Sequence, residues 1–168
     1  MRTYLKWSIG AVLLGTLAYL GWGFTTKLGH KKEIARRTQT LPPVVVKSIS
    51  GQRVTVAGQG KPTVLLFIEP DCEHCQRQVV ELQKHHAKLN GAAVFVLSAA
   101  PLAELKAFAQ TNWLTDLPNV RVAHVGRGVA HETFGFASTP DILIYHADGL
   151  LSKRLKGETS IEAIRRHL

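Results

Sequence analysis

The sequence predicts an α/β fold, a mixed β-sheet with helices on both faces, preceded by an N-terminal transmembrane helix. Three observations carry this expectation. From residue 44 onward strand and helix signals alternate in the order βαβα and close with ββα, which is the pattern of a layered α/β domain. Thr63 to Ile68 and Ala92 to Leu97 are nearly continuous apolar runs, as strands covered on both faces must be. Trp7 to Phe24 carries no charge and, at roughly 1.5 Å per residue, approaches the hydrocarbon thickness of a bilayer.

With 168 residues, 45% of them hydrophobic, the chain can build one modest core plus an appendage. The expected organisation is an anchor over residues 1–26, a basic linker over 27–43 and a globular domain over 44–168. Tyr4, Trp7, Tyr19 and Trp22 lie toward the ends of the apolar run, where amphipathic rings favour the membrane interface. No small-x-small site follows Leu20, so an uncleaved anchor is preferred to a signal peptide. The linker is polar and basic, and Leu41-Pro42-Pro43 ends it in extended backbone.

Within the domain, Val44 to Ile49 and Arg53 to Val56 flank a Ser50-Gly51-Gln52 turn and suggest a hairpin. Thr63 to Ile68 is the first strong strand. Cys75 to Leu89 has helical spacing through Val79, Leu82 and Leu89, with Asn90-Gly91 as a stop. After the strand Ala92 to Leu97, Pro101 is expected at the first position of a helix running through Leu102, Leu105 and Phe108 toward Trp113. Val120 to Val125 is a third strand. Gly126, Gly128 and Gly135 are read as loop markers. Asp141 to Tyr145 and Leu150 to Leu155 flank Asp148-Gly149, a strong hairpin signal, and Ser160 to Leu168 makes a closing helix.

The net charge of +9 is concentrated in two places, the linker residues Lys27, Lys31, Lys32, Arg36 and Arg37 and the C-terminal Arg165 and Arg166. No interleaving of basic and aromatic residues is present, so nucleic acid is not an expected partner.

The chemistry falls to Cys72 and Cys75, the only cysteines, in Cys72-Glu73-His74-Cys75. They stand where a buried strand hands over to a helix, so both thiols share one face of its first turn. Cys72, near orphan amides and the positive end of the helix dipole, is the expected nucleophilic thiolate. Cys75, one turn deeper, is the expected resolving thiol. A protonated His74 would stabilise the thiolate and Glu73 would oppose it. A zinc site would need two further ligands, and His85, His86, His124 and His131 form no second pair of suitable spacing. A structural disulfide closing so small a loop would constrain the unfolded chain little. His85 and His86 read as a solvated helix face, and Trp113 with Phe108, and Phe134 with Phe136, as packing. No organic cofactor is implied.

Taken together, the hairpin Ser48 to Val54, the run Gly60-Lys61-Pro62-Thr63-Val64-Leu65-Leu66-Phe67, the Cys-x-x-Cys and the late Ser138-Thr139-Pro140-Asp141 resemble the thioredoxin superfamily. Within it they resemble the membrane-anchored TlpA and ResA-like bacterial thiol-disulfide oxidoreductases, over about Leu41 to Leu168. The resemblance implies a thioredoxin-like sheet and a cis Thr139-Pro140 bond beside the dithiol, with the Thr139 backbone pairing to an extended substrate. It further implies protein thiols and disulfides as substrates, a redox partner protein, and a bacterial inner-membrane location with the domain on the periplasmic side, in protein thiol reduction or cytochrome c maturation. The positive-inside rule alone, applied to the basic linker, would put the domain in the cytoplasm.

The chain also departs from that pattern. Leu66 stands where thioredoxin has a buried aspartate, six residues before the first cysteine, and Asp71 where a tryptophan is usual. Glu69 is a substitute base for Cys75, or else an exposed loop glutamate. Glu73 is typical of the ResA-like branch and His74 of DsbA-like oxidants, so the redox direction stays open. The alternative from another class is a copper-carrying module using Cys72, Cys75 and a histidine such as His74 or His131. A peroxidase reading is weaker, because Thr63 and Arg77 do not have the spacing that peroxide activation needs.

Overall fold

A computed structural model describes Thr16, Tyr19, residues 32–58 and residues 60–168. The apolar run expected as a transmembrane helix lies outside the described residues except for Thr16 and Tyr19. Among the described residues no helix is long and apolar enough to cross a membrane. The chain divides into two units, Met1–Arg36 and Arg37–Leu168. In the first, residues 32–36 are helical and Arg36 pairs with Glu33 at 3.1 Å.

The second unit is built on one seven-stranded sheet in the order β2-β1-β5-β4-β3-β6-β7. Its strands are β1 (Val44–Ser48), β2 (Arg53–Val56), β3 (Thr63–Phe67), β4 (Ala93–Ser98), β5 (Val120–His124), β6 (Asp141–Tyr145) and β7 (Leu151–Lys156). β3 runs parallel to β4, and β4 to β5, while the other pairings are antiparallel. The mixed sheet expected from the pattern is therefore present. All residues of β3 are buried, because it lies centrally with helices above and below.

Alternation along the strands sorts side chains to two cores. On one face Val64, Leu66, Val96, Val122, Ile142 and Ile144 meet α1 (Glu73–His85), α2 (Leu102–Thr111) and α4 (Ile161–Arg165). On the other, Leu65, Phe67, Phe95, Leu97, Leu143 and Tyr145 meet α3 (Arg127–Phe134). α1 buries Cys75, Gln78, Val79 and Leu82, the spacing of a single helical stripe. Each fully buried aliphatic side chain contributes about 1.5–3 kcal/mol to holding that helix on the sheet.

The expected elements and the structure differ in places. α1 ends at His85 and gives way to a 3₁₀ turn over His86–Leu89, a tighter continuation of the same helix. Pro101 is the N-cap of α2, not its first helical residue. α3 was not anticipated: Gly126 caps it, Gly128 lies inside it, and Gly135 closes it in the left-handed conformation at φ 68°. A C-terminal glycine of this kind ends a helix as naturally as it marks a loop. The Asp148-Gly149 turn is as expected, with Gly149 at φ 83° and the Asp148 carboxylate accepting from the Leu150 amide at 2.9 Å. Beyond it, the Leu151 amide donates to Gln39 at 2.8 Å and the Leu41 amide to Gly149 at 2.8 Å, so residues 39–41 cover part of the sheet edge.

Candidate active site

The turn between β3 and α1 places the two cysteines differently. Cys72 is the N-cap of α1, in extended backbone (φ −82°, ψ 115°), and its carbonyl accepts from the Cys75 and Gln76 amides at 2.9 and 3.0 Å. No side chain caps this helix, so its first amides are left to face the sulfur. Cys72 is partly exposed, Cys75 is fully buried, and both thiols are free.

Burial pushes the Cys72 thiol up, but the Cys75 thiol and amide, the Thr139 hydroxyl and the His74 amide outweigh it and hold Cys72 below the ordinary cysteine range. The Thr139 carbonyl, 3.9 Å from the Cys72 sulfur, is a weak acceptor that favours the thiol and is overcome by these donors. Burial, reinforced by the neighbouring Cys72 sulfur, pushes Cys75 up to about 12, although the Glu69 amide and the Thr139 hydroxyl pull the other way. One sulfur is therefore poised as a nucleophile and the other is stored as a thiol. The thiolate is the alkylating form, so the reduced chain should label with a single pH transition below that of a free cysteine, on Cys72 alone at neutral pH. Rate measurements with peptide mapping check this, and equal labelling of Cys75 would contradict it.

The Thr139-Pro140 bond is cis, at the start of β6 and beside Cys72. Next to it lies a groove of about 600 Å³ lined by Phe67, Glu69, Arg127, His131, Phe136 and Thr139 among others. Phe67 and Phe136 stack along it with ring centres 4.8 Å apart. Phe136, read from sequence as packing but near enough to Pro140 to line a groove, does both. Glu69 is not an exposed loop residue: its carboxylate is 16% exposed, accepts from Ser98 Oγ at 3.3 Å and pairs with Arg127 at 3.2 Å. Its partners come from the end of β4 and the start of α3.

The two residues inside the motif belong to a charge cluster. His74 Nδ1 contacts the Glu158 carboxylate, and Arg77 donates to Glu158 from Nε at 2.9 Å and from Nη2 at 2.7 Å while also binding Glu73. Arg77, and then His74, hold the Glu158 carboxyl at about 2. Glu158 raises Arg77 in turn. Below this cluster the Gln78 amide donates to Thr159 O at 2.9 Å and accepts from the Thr159 amide at 2.7 Å. The Gly157 amide donates to Pro140 O at 2.8 Å, so one turn touches both the dithiol helix and the proline loop. The sequence reading missed Gln78, Arg127 and Glu158, and weighed Arg77 only for peroxide activation. Only the Glu73–Arg77 pair carried a local signal, the helical i, i+4 spacing of opposite charges.

Trp113, expected to pack, is 62% exposed at the end of α2 and has a left-handed backbone at φ 53°. Among the described residues no group of three or more His, Cys, Asp or Glu side chains gathers to hold a metal ion.

Residues 50–168 match the family model described as a thioredoxin-like domain. The chain is 30% identical over 116 residues to thioredoxin-like protein YneN of Bacillus subtilis (strain 168), an alignment covering 66% of this chain and 68% of the relative. Among solved structures it is similar to a secreted Mycobacterium tuberculosis disulfide oxidoreductase homologous to E. coli DsbE (20% identity, 79% of this chain and 98% of that one, TM-score 0.64). It is also similar to an exposed lipoprotein thioredoxin of Streptococcus pneumoniae (18% identity, 76% and 100% covered, TM-score 0.62). These structural likenesses show the fold.

Proposed function

Because this chain belongs to the thioredoxin-like family and is a thiol-disulfide oxidoreductase with a Cys72–Cys75 pair, we propose that it donates electrons to the disulfides of exported proteins. In this reading residues 1–26 anchor it in the bacterial inner membrane, 27–43 form the linker, and the domain over 44–168 works outside the cytoplasm. Two proteins of similar structure, one secreted and one an exposed lipoprotein, support that location. Cytochrome c maturation is one process that consumes such electrons.

The observation that carries the proposal is the asymmetry of the two sulfurs, an accessible thiol held low and a buried one held high. The Cys72 thiolate attacks a substrate disulfide, forming a mixed disulfide and releasing one substrate thiolate, which takes up a proton. Cys75 then loses its proton and attacks the Cys72 sulfur, so the second substrate thiol leaves and the Cys72–Cys75 disulfide forms. The pair has lost two electrons and the substrate has gained them; a redox partner protein restores the dithiol. The Thr139 backbone, beside the cis-Pro140 bond, aligns the extended substrate. The Glu69 amide stabilises the Cys75 thiolate as it forms, and Glu73 and His74 tune the pair. Asp71 and Glu73, which flank Cys72 along the chain, oppose its thiolate, which supports the reducing direction.

A glutathione redox titration of the full chain, following the pair by alkylation and mass, tests this. The expected midpoint is near or below about −250 mV, whereas one near about −120 mV would make the protein an oxidant. If no disulfide forms at any poise, the oxidoreductase cycle fails and the copper-carrier alternative takes its place.

A further inference from the structure

Glu158 lies 86 positions beyond Cys72 in sequence, yet its carboxylate is the group to which the motif's imidazole is turned. Two potential cations follow Cys72 in the first turns of α1, the His74 ring and the Arg77 guanidinium, and both are directed to this one carboxylate. Arg77 Nη2 also lies 2.8 Å from His74 Nδ1, the two groups being brought together by the carboxylate they share. His74 acts on Cys72 through its backbone amide, while its ring is bonded to Glu158. The side chain that could most strongly favour the thiolate is thus diverted from it.

The turn bearing Glu158 is built to hold this arrangement. Gly157 is tied to Pro140, Thr159 is tied twice to Gln78, and the Ile161 amide donates to Glu81 at 3.1 Å. Glu158 itself is exposed, its side chain at 37%, so these ties and not burial fix its place. With Glu73 on the other side of Arg77, the cluster of Glu73, His74, Arg77 and Glu158 carries one excess negative charge when His74 is neutral. Asp71 and Glu73 flank Cys72 along the chain, and Glu69 reaches the site from the end of β3.

We propose that Glu158 is a positioning residue that sets the redox poise of the Cys72–Cys75 pair by neutralising Arg77 and orienting His74 away from the sulfur. The inference rests on the dithiol cycle proposed above. Replacing Glu158 by glutamine keeps an acceptor of the same shape and removes its charge. The positive groups are then opposed by Glu73 alone, the reduced form is favoured and the disulfide becomes a stronger oxidant.

Two measurements on the full chain test this in wild type, Glu158→Gln and Glu158→Asp. In the pH profile of Cys72 alkylation, Glu158→Gln should raise the thiolate-to-thiol ratio at a given pH by about threefold, the effect of one partly screened charge. The glutathione equilibrium should shift toward the dithiol by a similar factor. Glu158→Asp, which keeps the charge, should stay near wild type in both, and His74→Ala with Glu158→Gln should lose much of the shift. An unchanged profile and equilibrium in a folded Glu158→Gln protein would overturn the proposal, as would a Glu158→Asp variant that behaves like Glu158→Gln. The alkylation profile needs no disulfide, so it tests Glu158 even if the wild-type pair proves unable to cycle.

Discussion

Cys75→Ser should stop the cycle halfway. Cys72 keeps its place at the helix start and still attacks a substrate disulfide, but no second sulfur stands behind it to release the product. Against a peptide mixed with glutathione as a disulfide, turnover should fall by about a thousandfold or more while a stable covalent adduct on Cys72 accumulates, visible by mass. Cys72→Ser should give neither turnover nor adduct, because the remaining thiol is fully buried and held at about 12. Adduct on Cys75 in that variant, or normal turnover in Cys75→Ser, would reverse the assigned roles.

Arg154→Met should cost about 3–5 kcal/mol of unfolding free energy, the loss expected when one partner of a buried ion pair is removed. Asp141 is fully buried at the start of β6, directly after the cis-proline, and Arg154 from β7 donates to it at 2.9 and 2.5 Å. The same guanidinium donates to the carbonyls of Phe134 and Gly135, at 3.3 and 2.7 Å, and lies 5.8 Å from the Phe136 ring. Methionine would fill the volume but leave a buried carboxylate unpaired and the end of α3 without donors. Denaturant unfolding checks this, and Asp141→Leu added to Arg154→Met should recover part of the loss. A single-variant loss below about 1 kcal/mol would mean that water reaches Asp141.

Much of this molecule is legible from local pattern. The apolar runs gave β3 and β4, because a strand covered on both faces cannot alternate. Asp148-Gly149 gave the last hairpin, because few residue pairs turn so tightly. The Cys-x-x-Cys spacing gave the dithiol, and the family resemblance supplied the cis Thr139-Pro140 bond. α3 escaped because its eight residues sit among three glycines whose loop and helix-end meanings are identical in sequence. Trp113 was misplaced, and Glu69 left open between two readings, for a different reason. Whether a loop glutamate is trapped, or a tryptophan at a helix end turned outward, depends on elements brought together only by the folded chain. Glu158 had no signal at all, since nothing near it in sequence points to His74.

That separation has a consequence for a chain made from one end to the other. Cys72 leaves the ribosome long before Thr139 has been synthesised. The amides at the start of α1 and the Cys75 thiol act on it as soon as that helix forms, whereas the Thr139 hydroxyl joins them only after β6 has docked. Part of the reactivity of Cys72 is thus conferred last, when the C-terminal half of the domain arrives.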